Sequence, residues 1–199
     1  MANSTATTAD VRQLGEVVAP APGTWILDAG HTRAEFVARH MMVTKVRGHF
    51  ERLTGEIAVA DRIEDSRVDV TLDAASIISG SQQRDEHLRS ADFLDVETYP
   101  TLEFHSTKVE QTGPTSLKVT GDLTIRDQTH PVTLEVDFEG VERTPWGNTV
   151  AGFSARAEIN REDWGMTWNA ALETGGVVVS KKVVIEIEAE ANPAQAKAA

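Results

Sequence analysis

Residues 67–74 read RVDVTLDA, and they alternate strictly between apolar and polar side chains. The apolar positions are Val68, Val70, Leu72 and Ala74. Successive side chains of a β-strand point to opposite faces, so this spacing predicts a strand with one buried face and one wet face.

The same period of two recurs on both sides of this stretch, in segments covering 34–38, 50–59, 102–104, 117–125, 132–138, 151–159 and 183–189. Turn signals such as Gly113-Pro114 separate them, and short links favour antiparallel neighbours. The sequence therefore predicts an all-β domain of eight antiparallel strands. A closed barrel would remove exposed strand edges, and a two-sheet sandwich fits the periodicity nearly as well.

A charged insert, RDEHLRSADFLDVETYP at residues 84–100, interrupts the alternation. It is longer than a hairpin loop, and Pro100 forbids helical continuation. We expect a short helix near residues 82–91, lying over one barrel end and anchored by Leu88, Phe93 and Leu94. A second helical turn is predicted over residues 40–46, where apolar residues lack alternation.

Composition sets the expected boundaries and class. Residues 1–22 are predicted to be a disordered tail and linker, 23–190 the barrel domain, and 191–199 a disordered tail. The net charge of −12 disfavours nucleic acid and anionic lipid surfaces as partners. The N-terminus resembles no secretory signal, and no apolar run approaches the roughly 18 residues of a membrane span, so we expect a soluble, cytoplasmic protein without stable membrane insertion.

Motifs for catalysis or metal binding are missing from the sequence. It contains no cysteine, no GxSxG, HExxH, P-loop or GxGxxG, and its six histidines follow no compact ligand spacing. We therefore expect no cofactor, no metal site and no catalytic residues.

The inward strand positions are rich in Phe, Leu, Ile and Val, with alanines such as Ala34, Ala38 and Ala155 among them. An eight-stranded barrel can be filled by its own side chains or hold one elongated ligand. The small residues and the covering segments favour a tunnel. Its predicted lining from the strand pattern is Phe36, Phe50, Leu72, Phe104, Leu134 and Phe153.

Ordered motifs over residues 24–190 resemble the YceI-like family. Its most specific signature corresponds to Arg84-Asp85, His87-Leu88, Phe93-Leu94-Asp95, Tyr99-Pro100 and Phe104-x-Ser106. Further matches are Trp25, Asp28, His31, Phe36, His40-Met41, Val46-Arg47-Gly48-His49-Phe50, Gly121 to Ile125, Pro131-Val132 and Arg161 to Met166. Thr32, Asp127, Trp164 and Ser180-Lys181 depart from the family pattern.

The resemblance implies a lipocalin-like antiparallel barrel, in a family of which some members bind polyisoprenoids. It adds Phe93, Trp164 and Met166 to the predicted tunnel. The charges of the insert and a second Arg-x-Asp lead us to expect a polar lock at the barrel mouth. Its predicted members are His40, Arg84, Asp85, Arg161 and Asp163, with Arg84 facing Asp163 and Asp85 facing Arg161.

These observations predict a non-enzymatic carrier for an elongated apolar ligand of isoprenoid or lipid type. One alternative is a structural or interaction barrel filled by its own side chains. Another is an enzyme acting on a lipophilic substrate. The sequence leaves the oligomeric state open, a homodimer included.

Overall fold

The computed structural model describes residues 10–172 and 176–194. Within these ranges the strands are β1 (Val11–Leu14), β2 (Val17–Pro20), β3 (Gly23–Leu27), β4 (Arg33–His40), β5 (Thr44–Phe50), β6 (Leu53–Val59), β7 (Arg67–Asp73), β8 (Ile77–Ile78), β9 (Thr101–Gln111), β10 (Ser116–Ile125), β11 (Gln128–Arg143), β12 (Thr149–Asn160) and β13 (Val179–Pro193). Helix α1 spans Gln82–Arg89, and short 3₁₀ turns occupy Ile63–Asp65, Ala74–Ser76 and Arg161–Trp164.

In the described part of the chain, eight antiparallel strand runs close into a barrel. β3 and β4 form one run along β13, because Leu27 pairs with Ala191 and Arg33 pairs with Glu188. β5 and β6 form the next run, followed in order by β7, β9, β10, β11, β12 and β13. β13 pairs with β12 on its other side, which closes the ring. The predicted eight-stranded barrel is confirmed over the sandwich.

The alternation of the sequence becomes the two faces of this barrel. In the β12–β13 pair, Ala155 stands opposite Ile187 on the inside, while Arg156 stands opposite Glu186 on the outside. The outer pair is linked by an ion pair of 2.7 Å. A one-residue slip would turn every apolar side chain outward, so this pattern sets the register.

The connections divide between two ends of the barrel. The helix end carries the β4–β5 turn, residues 74–100, the β10–β11 turn and the segment that follows β12. The hairpin end carries the connections at 60–66, 112–115 and 144–148, together with the β1–β2 hairpin. The two ends therefore have different covers.

The charged insert covers the helix end. β8 pairs with the free edge of β5 through His49 and Phe50, and α1 follows. The Arg89 guanidinium donates to the carbonyls of Ala75 and Ile77 at 2.8 and 2.7 Å, which ties the helix to the strand before it. The helix predicted near residues 82–91 is thus present.

The helical turn predicted over residues 40–46 is wrong. β4 and β5 meet there in a tight turn, in which Val43 N donates to His40 O at 3.0 Å. Met41 and Met42 have φ values of +50° and +60°, the sign that a type I′ hairpin turn requires at both central residues. Methionine rarely adopts this conformation, so the sequence carried no turn signal.

The expected tails also differ from the structure. Residues 11–20, placed in a disordered N-terminal segment, form the β1–β2 hairpin. Long-range bonds hold it: Arg12 Nη1 donates to Asp61 O at 2.6 Å, and Thr149 Oγ1 donates to Asp10 Oδ2 at 2.9 Å. At the other terminus β13 continues to Pro193, because Ala191 and Pro193 pair with β3. The tail predictions for residues 1–9 and 195–199 lie outside the described residues.

None of the helices in the described ranges has the length and apolar character needed to cross a bilayer.

Candidate ligand-binding site

A cavity of about 370 Å³ runs through the barrel interior. Its wall at the hairpin end includes Leu14 and Val17, and its wall at the helix end includes Leu88 and Phe93. Between them lie the inward positions of the barrel strands. The lining is dominated by aliphatic and aromatic side chains, so the cavity suits an apolar molecule.

Most side chains predicted for the tunnel line this cavity. They are Phe36, Phe50, Leu72, Phe93, Phe104, Leu134, Phe153 and Met166. Phe36, Leu72, Leu134 and Phe153 are only partly buried although they point inward, because part of their surface faces the cavity. The barrel is therefore hollow, and the alternative of an interior filled by its own side chains does not fit. That these residues bind a ligand stays a prediction.

Trp164 is the exception, since it lies outside the cavity wall. Its side chain is buried, and Nε1 donates to Leu123 O at 3.0 Å. The ring stands edge-on to His130, with centroids 5.0 Å apart. Trp164 thus fixes the turn after β12 against β10, which is a packing role.

Arg161 is the one predicted lock residue that lines the cavity. It is 3% exposed, and its guanidinium is held by carbonyl groups of the same barrel end. Nε donates to Ser180 O at 3.0 Å, and Nη1 donates to Met166 O. Its Cζ stands 5.7 Å from the Phe93 ring centroid, a cation–π distance. Burial lowers the pKa of this guanidinium below its ordinary value.

The predicted polar lock is not formed. Arg84 donates to Ser79, from Nε to Oγ at 2.7 Å and from Nη2 to the carbonyl O at 2.6 Å. Asp85 is 8% exposed and accepts from Ser79 N at 2.7 Å. These bonds close the loop before α1, so the Arg84–Asp85 pair stabilises its own segment.

The other lock residues also have different roles. Asp163 is exposed and accepts from Asn160 Nδ2 at 3.0 Å, while Asn160 Oδ1 caps the 3₁₀ turn by accepting from Glu162 N at 3.2 Å. His40 ends β4, where it pairs with Thr44 and Val179. The motif spacing was therefore no guide to which charges face each other.

The helix end contains an aromatic cluster that the sequence analysis does not predict. His87, Phe93 and Trp168 pack together, with His87 edge-on to both rings at 5.0 and 4.5 Å between centroids. His87 Nε2 also bonds Asp92 Oδ2 at 2.9 Å. Because Phe93 lines the cavity, His87 and Trp168 support the cavity wall from behind Phe93. In the sequence, the one feature that indicated this cluster was the family motif His87-Leu88 with Phe93-Leu94.

Outside the barrel, two histidines form surface ion pairs. His105 Nδ1 bonds Asp69 Oδ1 at 2.6 Å, and this bond raises the pKa of His105. His31 lies within reach of Asp28 and Glu190, and the hydrogen bond to Asp28 raises the pKa of His31. These groups lie on the outer surface and take no part in the cavity.

Comparison with known proteins agrees with this architecture. A family model described as the YceI-like domain matches residues 25–191. A UPF0312 protein of Staphylococcus aureus (strain N315) is 38% identical over 167 residues, which cover 82% of this chain and 94% of that protein. The chain spans nearly the whole of this relative.

Solved structures of other proteins have a similar fold. The crystal structure of a Campylobacter jejuni YCEI protein aligns with a TM-score of 0.68 and 29% identity, covering 79% of this chain and 90% of that one. Burkholderia cenocepacia BcnA shares the fold at a TM-score of 0.73 and 21% identity, over 82% and 98% of the two chains.

A third structure is a polyisoprenoid binding domain from Saccharophagus degradans, described as implicated in plant cell wall breakdown. It aligns with a TM-score of 0.65 and 15% identity, covering 87% of this chain and all of that one. At this identity the likeness concerns the fold. Because the family model matches most of the chain and a relative is 38% identical, the chain belongs to the YceI-like family.

Proposed function

We propose that the protein is a carrier that holds an elongated apolar molecule, of isoprenoid or lipid type, inside the barrel. The observation that carries the proposal is the hollow, apolar interior between the two covered ends. Burial of hydrocarbon contributes about 0.8 kcal/mol per CH₂ group, so a chain of ten or more carbons would gain ample affinity there.

The shape of the interior supports an elongated ligand over a compact one. Lining side chains come from the hairpin end, from the middle of the barrel and from the helix end. A ligand in contact with all three must extend along the barrel axis. A linear prenyl or acyl chain has this form.

Carriage without catalysis fits the lining better than enzyme action does. Most lining side chains are hydrocarbon, and such groups cannot transfer protons or attack a substrate. The solved polyisoprenoid binding domain of similar fold adds support from comparison.

Two measurements test the proposal. Native mass spectrometry of freshly purified protein, with an organic extract of the same sample, should reveal one bound lipid per chain. Titration with geranylgeraniol, a neutral C20 prenyl alcohol, should change tryptophan fluorescence saturably and raise the Tm by mass action. Protein free of lipid that also fails to bind prenyl chains would contradict the proposal.

A further inference from the structure

The β4–β5 turn exposes three consecutive apolar side chains at the helix end of the barrel. Met41, Met42 and Val43 are 44%, 52% and 79% exposed, and together we call them the apolar tip. The other large apolar side chains that are exposed in the described residues stand singly in the sequence: Val18, Ile26 and Trp146. Single exposed apolar residues are ordinary, whereas a contiguous patch marks a surface that contacts a partner or a membrane.

The backbone of the apolar tip is not the one that its side chains favour. Met41 and Met42 both have positive φ, a conformation that glycine and asparagine adopt readily and methionine rarely does. The turn is fixed all the same, because Met41 N donates to Val178 O at 2.8 Å and Val43 N donates to His40 O at 3.0 Å. Methionines thus stand where Asn-Gly would stabilise the fold better, which favours a role outside the fold.

Two cations stand next to the apolar tip. Arg39 on β4 pairs across the ladder with Lys45 on β5, and like charges at directly opposed positions repel each other. Among the described residues, neither side chain has a carboxylate within 4.0 Å. Arg47, two positions further along β5, does have such partners in Glu35 and Glu186. The pair beside the tip therefore lacks the counter-charge that the rest of its strand has.

The neighbouring strand adds no negative charge to this surface. The bulge of β13 lies beside Arg39 and carries Lys181 and Lys182. These lysines form ion pairs with Glu162 and Glu158, so they offset the acidic groups closest to them. The positive charge of Arg39 and Lys45 is therefore not cancelled from this side.

The local charge differs from the charge of the whole chain. The net charge of −12 arises from 31 acidic and 19 basic residues, yet residues 36–50 contain no Asp or Glu. The field of an exposed charge decays over about 8 Å at physiological ionic strength, so distant carboxylates act weakly on a surface that touches the apolar tip. The expectation drawn from the net charge, that anionic lipid is disfavoured, does not extend to this turn.

We propose that the apolar tip docks the helix end of the barrel on an anionic lipid bilayer. Met41, Met42 and Val43 enter the boundary between head groups and acyl chains, while Arg39 and Lys45 pair with anionic head groups. Such a bilayer offers negative charge and an apolar layer side by side, which complements this surface. A second copy of the chain docked tip to tip would instead bring like charges together. The proposal concerns the outer surface and needs no ligand in the cavity, so it is independent of the carrier function.

Vesicle flotation tests the docking. The full-length protein should float with vesicles of equal parts phosphatidylcholine and phosphatidylglycerol. It should bind them at least about tenfold more strongly than pure phosphatidylcholine vesicles, because each cation near an anionic surface strengthens binding about fivefold. Binding should weaken as the NaCl concentration rises. Failure to float with the anionic vesicles, or equal affinity for both kinds, would overturn the proposal and leave the carrier function intact.

A double substitution separates docking from folding. Met41→Asn combined with Met42→Gly installs the pair that a type I′ turn favours, so the Tm should rise while binding to anionic vesicles falls about tenfold or more. Lys45→Gln should weaken the same binding about fivefold. Unchanged vesicle binding in the double variant would overturn the proposal, since a purely structural role of the methionines predicts that result.

Trp146→Asn is the matched control, because Trp146 is 85% exposed on the turn at the opposite end of the barrel. This variant should bind anionic vesicles like the wild-type protein. Loss of binding in Trp146→Asn, with binding kept in the double variant, would place the contact at the hairpin end and overturn the assignment.

A single label locates the contact directly. The chain has no cysteine, so Val43→Cys and Trp146→Cys each provide one thiol for an environment-sensitive nitrobenzoxadiazole label. On addition of the anionic vesicles, the emission of the label at position 43 should shift to the blue, and that at position 146 should stay unchanged. A shift at position 146 alone, or at neither position, would overturn the proposal.

Discussion

The ring of Phe36 lies against the bare Cα of its cross-strand partner Gly48. A methyl group on Gly48 would stand 2.5 Å from Phe36 Cζ and 2.6 Å from Ile78 O. A similar contact occurs between β9 and β10, where a methyl group on Gly121 would stand 2.5 Å from Phe104 Cζ. Two aromatic rings of the cavity wall therefore rest on glycines of neighbouring strands.

Gly48→Ala should lower the free energy of unfolding by about 1–3 kcal/mol, because the ring and the Ile78 carbonyl must both move. Gly152→Ala is the control: it also lies in a strand, but its nearest contact would be Glu139 Cβ at an ordinary 3.5 Å. That change should stay within about 0.5 kcal/mol. Urea midpoints at equal m-values measure both, and equal midpoints for the two variants would contradict the packing argument.

The fold could be predicted where a local pattern had one structural solution. The alternating stretch forms β7 over Arg67–Asp73, and the helix predicted near residues 82–91 is α1 at Gln82–Arg89. The β1–β2 hairpin could not be predicted, because bonds from Arg12 to Asp61 and from Thr149 to Asp10 stabilise it across distant sequence.

The candidate site divides in the same way. Inward positions such as Phe36 and Phe153 follow from the period of two, and they do line the cavity. The partners of charged side chains do not follow from motif spacing in the sequence, because Arg84 and Asp85 both form hydrogen bonds with Ser79 in their own loop. Trp164 shows a further limit, since a large apolar residue can serve a turn as well as a cavity.

Ala155→Trp should block ligand uptake. Ala155 lines the cavity, so an indole has room to enter it, and we expect the free energy of unfolding to change by less than about 1 kcal/mol. Ala157→Trp is the control on the same face of β12, where the side chain is 6% exposed within the packed core. It should cost at least about 1–3 kcal/mol. Native mass spectrometry with geranylgeraniol measures ligand uptake. Binding of geranylgeraniol by Ala155→Trp at the wild-type level would show that the ligand does not occupy the cavity at Ala155.

The His105–Asp69 bond should make stability depend on pH. The pKa of His105 is raised in the folded protein, so its contribution is fully present below pH 6.5 and is lost as the pH rises through the folded-state pKa. The imidazole is about half exposed, which limits the effect to about 0–1 kcal/mol. Denaturant unfolding between pH 5.5 and 8.5 measures it.

Two substitutions compare how much Asp69 and Glu103 contribute to the pH dependence that His105 causes. Asp69→Asn should flatten the decline in stability more than Glu103→Gln, because Asp69 stands 2.6 Å and Glu103 3.6 Å from the imidazole. An Asp69→Asn profile parallel to that of the wild-type protein would show that the bond makes no net contribution.

The β1–β2 hairpin should act as a detachable cover of the barrel. Val17 lines the cavity, whereas its neighbour Val18 is 46% exposed. Val17→Asp would place a carboxylate against apolar walls, so we expect the detached population to rise about tenfold, or 1.4 kcal/mol.

Trypsin digestion measures this population directly, because Arg12 is the first Lys or Arg of the chain and Arg33 the next. Cleavage after Arg12 should accelerate in Val17→Asp and not in Val18→Asp. The Tm of the barrel should change little, since β1 and β2 form a two-stranded sheet separate from the barrel sheet. Release of bound geranylgeraniol should accelerate in the same variant. Faster cleavage with unchanged release would mean that the ligand leaves through the helix end, and equal cleavage of both variants would show that Val17 does not hold the hairpin.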